Sequence, residues 1–476
     1  MTDDARELEP PTRFSRSLLW QLQRASYQQQ GVAAWRPGGV PNQITSNPFI
    51  AACYADVLVA LLADLRRGPA PPRRPLQIIE LGAGSGRFGY FLLRALADRL
   101  AGELAAARAA AAPPPFRLVM TDLAEANLDA WAAHPKLRPF LDAGLLDLAM
   151  FDAEAPGPLV LRASGDRLAP ADAGGAADPV VAIANYVFDS IPYDAYRVEG
   201  GELRECLVAL RAPGDRARAL REPAATIHAA RWRVTDAPAR LDYTDPVVND
   251  LCREYATSAH DEVILLPVAS FAAIDCLARL GGGRLLVVTS DKGYRELGLR
   301  DALDDFEVAT HGGCVSLSVN FHALARYVER RGGFAWPERQ PYHSFYSGVL
   351  ALGLDAAALP ATAAAVDELA RFGPGDYQSL VDCTAIEARA PSVEHLLALL
   401  RIGRWDPRTV TRFAGPLVEG VKTRARGPLD RDLAAALERV RDLHFPLPGQ
   451  PDPLPALLAT LFTALGRPDL AAAQPP

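Results

Sequence analysis

Three glycines stand at alternate positions, Gly82, Gly84 and Gly86, in the run "IIELGAGSGRFGYF". An apolar stretch precedes them and a helical pattern follows. Glycines at a strand-to-helix turn let the backbone adopt positive φ and pass close to a ligand. A dinucleotide turn reads G-x-G-x-x-G, which would place the third glycine at position 87. Arg87 stands there, so the spacing argues against NAD. Glu80, just ahead of the turn, argues the same way. A buried carboxylate opposes a pyrophosphate and suits a ligand with a cationic centre. A zwitterionic amino acid carrying a sulfonium is such a ligand, and a valine at Gly84 would stand in its approach path. The structural alternative, a glycine turn serving only the fold, stays open at this point.

Further carboxylates close the next strands. Asp122 ends "FRLVMTD" (116–122) and can accept two hydrogen bonds from vicinal ribose hydroxyls. Asp152 ends "LLDLAMFDAE" (145–154) and can accept from an exocyclic amine such as adenine's. A fourth strand, "PVVAIAN" (179–185), runs into "NYVFDSIPYDAYR". There Asn185 can donate and accept at the ligand edge, and Phe188 can form an apolar wall. Asp189 either orients a nucleophile or caps a helix start, with Pro192 enforcing a turn. The histidines show no metal-ligand spacing, so no metal site is expected.

These residues need a scaffold that brings successive strand ends to one edge. From residue 76 strands alternate with helices, and "RLLVVTSD" (284–291) adds a fifth strand. Such alternation predicts an α/β fold with a parallel sheet covered by helices on both faces, and ligands in such sheets sit at the carboxyl ends of the strands. "YDAYRVEGGELRECLVAL" (193–210) interrupts it with a hairpin signal around Gly200-Gly201. Ahead of the sheet, residues 13–66 read as helices broken at Gly31, the second capped by Asn47 with Pro48 at its first position. Residues 346–476 show helical patterns only, and "ALGRPDLAAA" resembles one hairpin of a tetratricopeptide-type repeat. The expected units are therefore an N-terminal helical segment and linker (1–75), a ligand-binding α/β domain (76–345) with a hairpin insertion near 193–240, and a C-terminal helical domain (346–476).

Composition bounds the rest. The chain has 476 residues, 49% of them hydrophobic, and a net charge of −7. That leaves no electrostatic footprint for nucleic acid or an anionic membrane. Six cysteines without a C-x-x-C pair read as reduced thiols. The acidic N-terminus lacks a secretory apolar core, and no apolar run reaches the roughly 18 residues of a membrane span. A cytoplasmic protein is expected.

The turn "ELGAGSGRFG", the acidic strand ends, "NYVFDSIP" and the hairpin together resemble a class I S-adenosylmethionine-dependent methyltransferase. More narrowly they are similar to the MidA-like family, which includes the mitochondrial complex I assembly arginine methyltransferase. "ITSNPFIA" (44–51) is similar to that family's T-x-P-E-I stretch, "NYVFDSIP" to its N-E-F-F-D-A-L-P run, and "SVNFHALARYVERRGG" (318–333) to its closing strand and helix. The resemblance spans roughly residues 15–335. It implies a Rossmann-like methyltransferase sheet with an N-terminal helical extension, and the C-terminal all-helical region lies outside the family pattern. S-adenosylmethionine is the implied cofactor, held by Glu80, Gly82, Gly84, Gly86, Asp122, Asp152 and Asn185, with Asp189 and Tyr186 handling the nucleophile's proton. Two family glutamates are replaced, by Tyr186 and by Phe49. A carboxylate there would pair with a guanidinium, so the methyl acceptor, protein or small molecule, is left open. The alternative is a non-catalytic assembly or binding protein that keeps the fold and engages a protein partner through its helical C-terminal region.

Overall fold

The computed structural model describes all residues except 1–4, 37, 70, 171–177, 259–260, 298–307, 338–344, 387–389 and 472–476. Among the described residues eight strands form the central sheet: β1 (Leu76–Leu81), β2 (Phe116–Asp122), β3 (Leu146–Met150), β4 (Val180–Asn185), β5 (Leu285–Tyr294), β6 (Phe334–Trp336), β7 (Phe345–Leu352) and a two-residue strand, Val319–Asn320, parallel to the end of β5 and off the main path. The main path runs in the order β3-β2-β1-β4-β5-β7-β6. β3 through β5 pair in parallel, and β7 runs antiparallel to both its neighbours. The chain winds one way from β1 to β3 and the other way from β4 to β5. The reversal falls between β1 and β4, where open α/β sheets bind ligands.

The strands are near-continuous apolar runs because both faces are covered. On one face Tyr54, Leu58, Phe88 and Leu92 join the core, and on the other Phe271, Ile274, Phe321 and Tyr327. The Rossmann-like sheet with helices on both faces is therefore present. Three helices position the site: α1 (Leu18–Gln30), α2 (Pro48–Arg67) and α3 (Arg87–Arg99). Asn47 caps α2, its Oδ1 accepting from Ile50 N at 3.0 Å, with Pro48 in the first turn. The hairpin turns at Gly200 and Gly201, both at positive φ, with Glu199 opposite Glu202.

Several expectations change. The N-terminal segment is not helical throughout, because Ala5–Arg13 is a strand. It joins a second, antiparallel sheet beside Glu202–Pro213, with irregular register. "ARELEPPTR" is polar and carries two prolines, so its own pattern hides a strand that only an edge position tolerates. α2 is, by length and composition, apolar enough to cross a membrane. Here it is a core helix, with Ile50, Tyr54, Leu58 and Leu61 all buried.

The boundary at 345 also moves. The stretch "FAWPERQPYHS" (334–344), which reads as a linker closing the α/β domain, begins with β6 instead, and its residues 338–344 lie outside the described ones. β7 then belongs to the central sheet. It is buried along its whole length, so it shows no alternation. Its mid-strand Gly348 is required by crowding, since a Cβ there would lie 2.4 Å from the Trp336 carbonyl oxygen. Beyond β7 the described residues are helical or irregular. The helix Pro360–Arg371 packs against α2, and its Val366 and Leu369 enter the sheet's core. The later helices share a core of their own around Leu397, Leu437 and Phe462.

Asp64 of α2 clamps this junction. Its Oδ2 accepts from the amide and the hydroxyl of Thr362, each at 2.8 Å, and its Oδ1 from Arg67. Burial pushes its carboxyl upward, but these bonds outweigh that and hold it below the ordinary range. Asp64→Ala is expected to cost about 3 kcal/mol, since buried charge-assisted bonds are lost together. Urea unfolding checks this. The wild-type advantage should be present near neutral pH and fade as pH falls through the carboxylate range.

Candidate active site

Gly82, Gly84 and Gly86 all sit at positive φ, 55°, 55° and 75°. The turn they form crosses the reversal point, where a Cβ on Gly82 would come within 3.3 Å of Val187, just past β4. Two side chains hold it. Asp122 Oδ2 accepts from Gly84 N at 3.1 Å, and its Oδ1 from Ala124 N at 3.0 Å. Trp131 Nε1 donates to the Gly84 carbonyl at 3.1 Å. Asp122 thus anchors the turn from within. Burial raises its pKa although these bonds pull the other way.

Glu80 lies under the start of α3. Gly89 makes room for it, because a Cβ there would lie 2.5 Å from Glu80 Oε2. That oxygen is buried without a hydrogen-bond partner. Burial, with Asp122 nearby, pushes the carboxyl up to about 8. Asn185, at the end of β4, accepts through Oδ1 from the Tyr54 hydroxyl at 2.7 Å and from Ser290 N at 3.2 Å, while its buried Nδ2 has no partner. The structure therefore brings Glu80, the three glycines, Asp122 and Asn185 to one edge. Asp152 lies two residues past β3 and forms an ion pair with Arg24 of α1 at 2.7 Å. Burial opposes its ionisation, yet Arg24 holds its carboxyl below the ordinary range.

The residue missed in the sequence is Trp35. It ends a 3-10 helix, Gly31–Trp35, and stacks on Tyr27 with ring centroids 5.9 Å apart. A Cβ on Gly84 would lie 2.5 Å from Trp35 Cζ2. The approach path over Gly84 is thus held by an indole ring, and a valine at 84 would strike that ring first. Gly31 packs on Asn127, next to the turn's anchor, with Asn127 Oδ1 3.3 Å from where a Cβ would stand. Nothing in "GVAAWRPGG" announces this contact, because it joins residues remote in sequence.

Tyr186 follows β4 with φ at 53°, left-handed and strained for a residue with a side chain. Asp189 lies inside a short 3-10 turn, Phe188–Ser190, and caps no helix. Its Oδ1 accepts from Ser190 Oγ at 2.9 Å, and its amide donates to Asp291 Oδ2 at 3.2 Å. Phe188 is buried beneath it in the core. Burial pushes both aspartic carboxyls up, and each opposes ionisation of the other. Tyr186, Asp189 and Lys292 line a cavity of about 40 Å³, which the N-terminal residues Tyr27, Val40 and Pro41 also line. Among the described residues, no three His, Cys, Asp or Glu gather as a metal cluster. None of the six cysteines forms a disulfide.

No family model and no curated protein matches the chain. Among solved structures it is similar to a COG1565 superfamily member from Burkholderia thailandensis bound to S-adenosylhomocysteine. The identity is 14%, the TM-score 0.41, and the match covers 68% of this chain and 73% of the other. A native structure of an uncharacterised COG1565 superfamily protein from the same organism is 14% identical, with TM-score 0.39 over 71% and 89% of the chains. The pyocyanin biosynthetic protein PhzM is 12% identical, with TM-score 0.25 over 62% and 55%.

Glu80 generates a prediction. A carboxyl whose folded pKa is raised favours the folded state below its unfolded pKa, and that advantage fades as pH rises toward about 8. Glu80→Gln should match wild type near pH ~5 and exceed it near pH ~8, gaining at most about 1.4 kcal/mol per pH unit between. Melting temperatures across that range decide it, and parallel curves would refute the unpaired acid.

Proposed function

We propose that this protein is an S-adenosylmethionine-dependent methyltransferase whose N-terminal segment closes over the cofactor turn. The observation that carries the reading is the glycine turn at the sheet's reversal point, flanked by two buried and unpartnered polar atoms, Glu80 Oε2 and Asn185 Nδ2. An acceptor and a donor left unpaired in that place suit a ligand with a cationic end and hydrogen-bonding edges. S-adenosylmethionine would supply there a methyl group already activated on a sulfonium, so alignment and exclusion of water are the protein's task.

In this reading Glu80 takes the cofactor's positive charge, Asn185 its polar edge, and Gly82, Gly84 and Gly86 give it backbone to lie against. Asp122 holds the turn rather than reaching outward. Asp152 becomes available only when Arg24 leaves it. Burial and the two aspartates push the Tyr186 hydroxyl far up, so it stays protonated and does not serve as the base. Receiving the acceptor's proton falls to Asp189, whose raised pKa suits a base near neutrality. The acceptor, on a protein side chain or a small molecule, is a nucleophile other than guanidinium. Tyr186 brings no charge, and Phe49 is committed to a stack on Tyr377 of the C-terminal helices at 5.0 Å.

Calorimetry on the full chain tests the cofactor. S-adenosylhomocysteine is expected to bind saturably below millimolar concentration. Trp35→Ala should tighten it by about tenfold, the equivalent of about 1.4 kcal/mol released from the competing ring. Absence of binding to both proteins would end the methyltransferase reading. Tight binding without methyl transfer to any offered acceptor would favour an assembly protein, with the C-terminal helices as its partner surface.

A further inference from the structure

A second cavity, of about 360 Å³, lies between the start of α3, residues 35–36 and 38–43, and the C-terminal region. Its size suits a small organic ligand. Trp35, Phe91, Phe445 and Leu447 give it apolar walls, and Arg36, Arg87 and Arg408 give it cationic ones. The acids that face it are already engaged. Asp406 accepts from the Arg408 amide at 3.0 Å and forms a 3.4 Å ion pair with its guanidinium. Asp452 bonds His444 at 3.1 Å and the Leu454 amide at 3.3 Å.

Arg408 also donates through Nη2 to the Gln43 carbonyl at 2.9 Å, and its charge is met by Asp406, whereas that of Arg87 is not. Arg87 has one contact, Nη2 donating to the Phe445 carbonyl at 3.5 Å, and no carboxylate pairs with it among the described residues. Arg408 Nη1 is buried without a hydrogen-bond partner, and so is Gln450 Nε2, whose residue also lines the cavity. Burial, then the nearness of Arg408, lowers Arg87 to about 10. Two buried donors in one cavity, Arg408 Nη1 and Gln450 Nε2, lack an acceptor, and leaving such groups unpaired is costly. His444 adds no dependable charge near neutrality, since burial lowers its pKa.

We propose that this cavity binds a small organic anion, its oxyanion held by Arg87, Arg408 and the Gln450 amide, its apolar body against Trp35, Phe91 and Phe445. Guanidinium groups pair with carboxylates and phosphates through parallel N–H bonds, so both head groups share the required chemistry. The site is distinct from the cofactor turn and does not rest on the methyltransferase reading. It shares Trp35 with the cover over Gly84, whereas neither Glu80 nor the three glycines line it.

Titration of the full chain with phenyl phosphate, benzoate and inorganic phosphate tests it. One ring-bearing probe is expected to bind one-to-one, at least about tenfold tighter than inorganic phosphate, and the tighter of the two identifies the head group. Arg87→Gln and Arg408→Gln should each weaken it by about tenfold or more, and Arg412→Gln, at a surface ion pair with Asp382, should not. In wild-type crystals soaked with 4-bromophenyl phosphate or 4-bromobenzoate, the bromine should lie in this cavity, which locates the site without any variant. No saturable binding by either ring-bearing probe, bromine elsewhere, or unchanged affinity in both cavity variants would overturn the proposal. So would inorganic phosphate binding as tightly as the ring-bearing probes, or displacement of the probe by S-adenosylhomocysteine.

Discussion

Asp122 sits at the end of β2 with both carboxylate oxygens turned onto backbone amides, Oδ2 on Gly84 and Oδ1 on Ala124. Because those amides belong to the turn after β1 and the turn after β2, one side chain fixes two adjacent strand ends. The conformation of the glycine turn, the direction in which α3 leaves it and the space beneath that helix all follow. Trp131 closes the arrangement by bonding the Gly84 carbonyl and filling the volume beside Gly86, where a Cβ would lie 2.8 Å from its ring. A carboxylate that accepts from the backbone in this way holds the turn from within, and two buried polar atoms flanking the turn, Glu80 Oε2 and Asn185 Nδ2, are left without a partner.

Two ionisable groups without a counter-charge flank that turn. Glu80 is an acid without a hydrogen-bond partner on Oε2, and Arg87 is a guanidinium without a carboxylate among the described residues. They are separated by the start of α3 and form no ion pair. Opposite charges in a low-dielectric interior attract strongly when they can meet. Held apart by the helix, each retains its own appetite for a counter-charge. One region can therefore favour a cationic group on one side and an anionic one on the other.

The N-terminal residues decide access to both sides. Arg24 occupies Asp152, Trp35 covers Gly84, and Tyr27, Val40 and Pro41 line the cavity at Asp189. Trp35 also lines the arginine cavity. The C-terminal region completes that cavity through Arg408, Phe445 and Gln450, and Asp64 ties it to α2. Chain segments from both ends meet at the turn, so their packing and the chemistry of the site are coupled.

Much of this was legible in the chain itself, because local rules governed it. Continuous apolar runs marked strands β1 to β5, glycine spacing marked the turn, Asn47-Pro48 marked the start of α2, and Gly200-Gly201 marked the hairpin. Residue types at strand ends were enough to assemble Glu80, Asp122 and Asn185 on one edge, since a parallel sheet places those ends together. β7 escaped because burial on both faces removes alternation, and Ala5–Arg13 escaped because an edge strand needs no apolar face. Only the tertiary structure decided that Asp122 looks inward, that Asp152 is held by Arg24, that Trp35 rests on Gly84 and that Arg87 faces Arg408. Each of those is a contact between residues far apart in the chain, set by which surfaces pack together, and neither periodicity nor spacing encodes it.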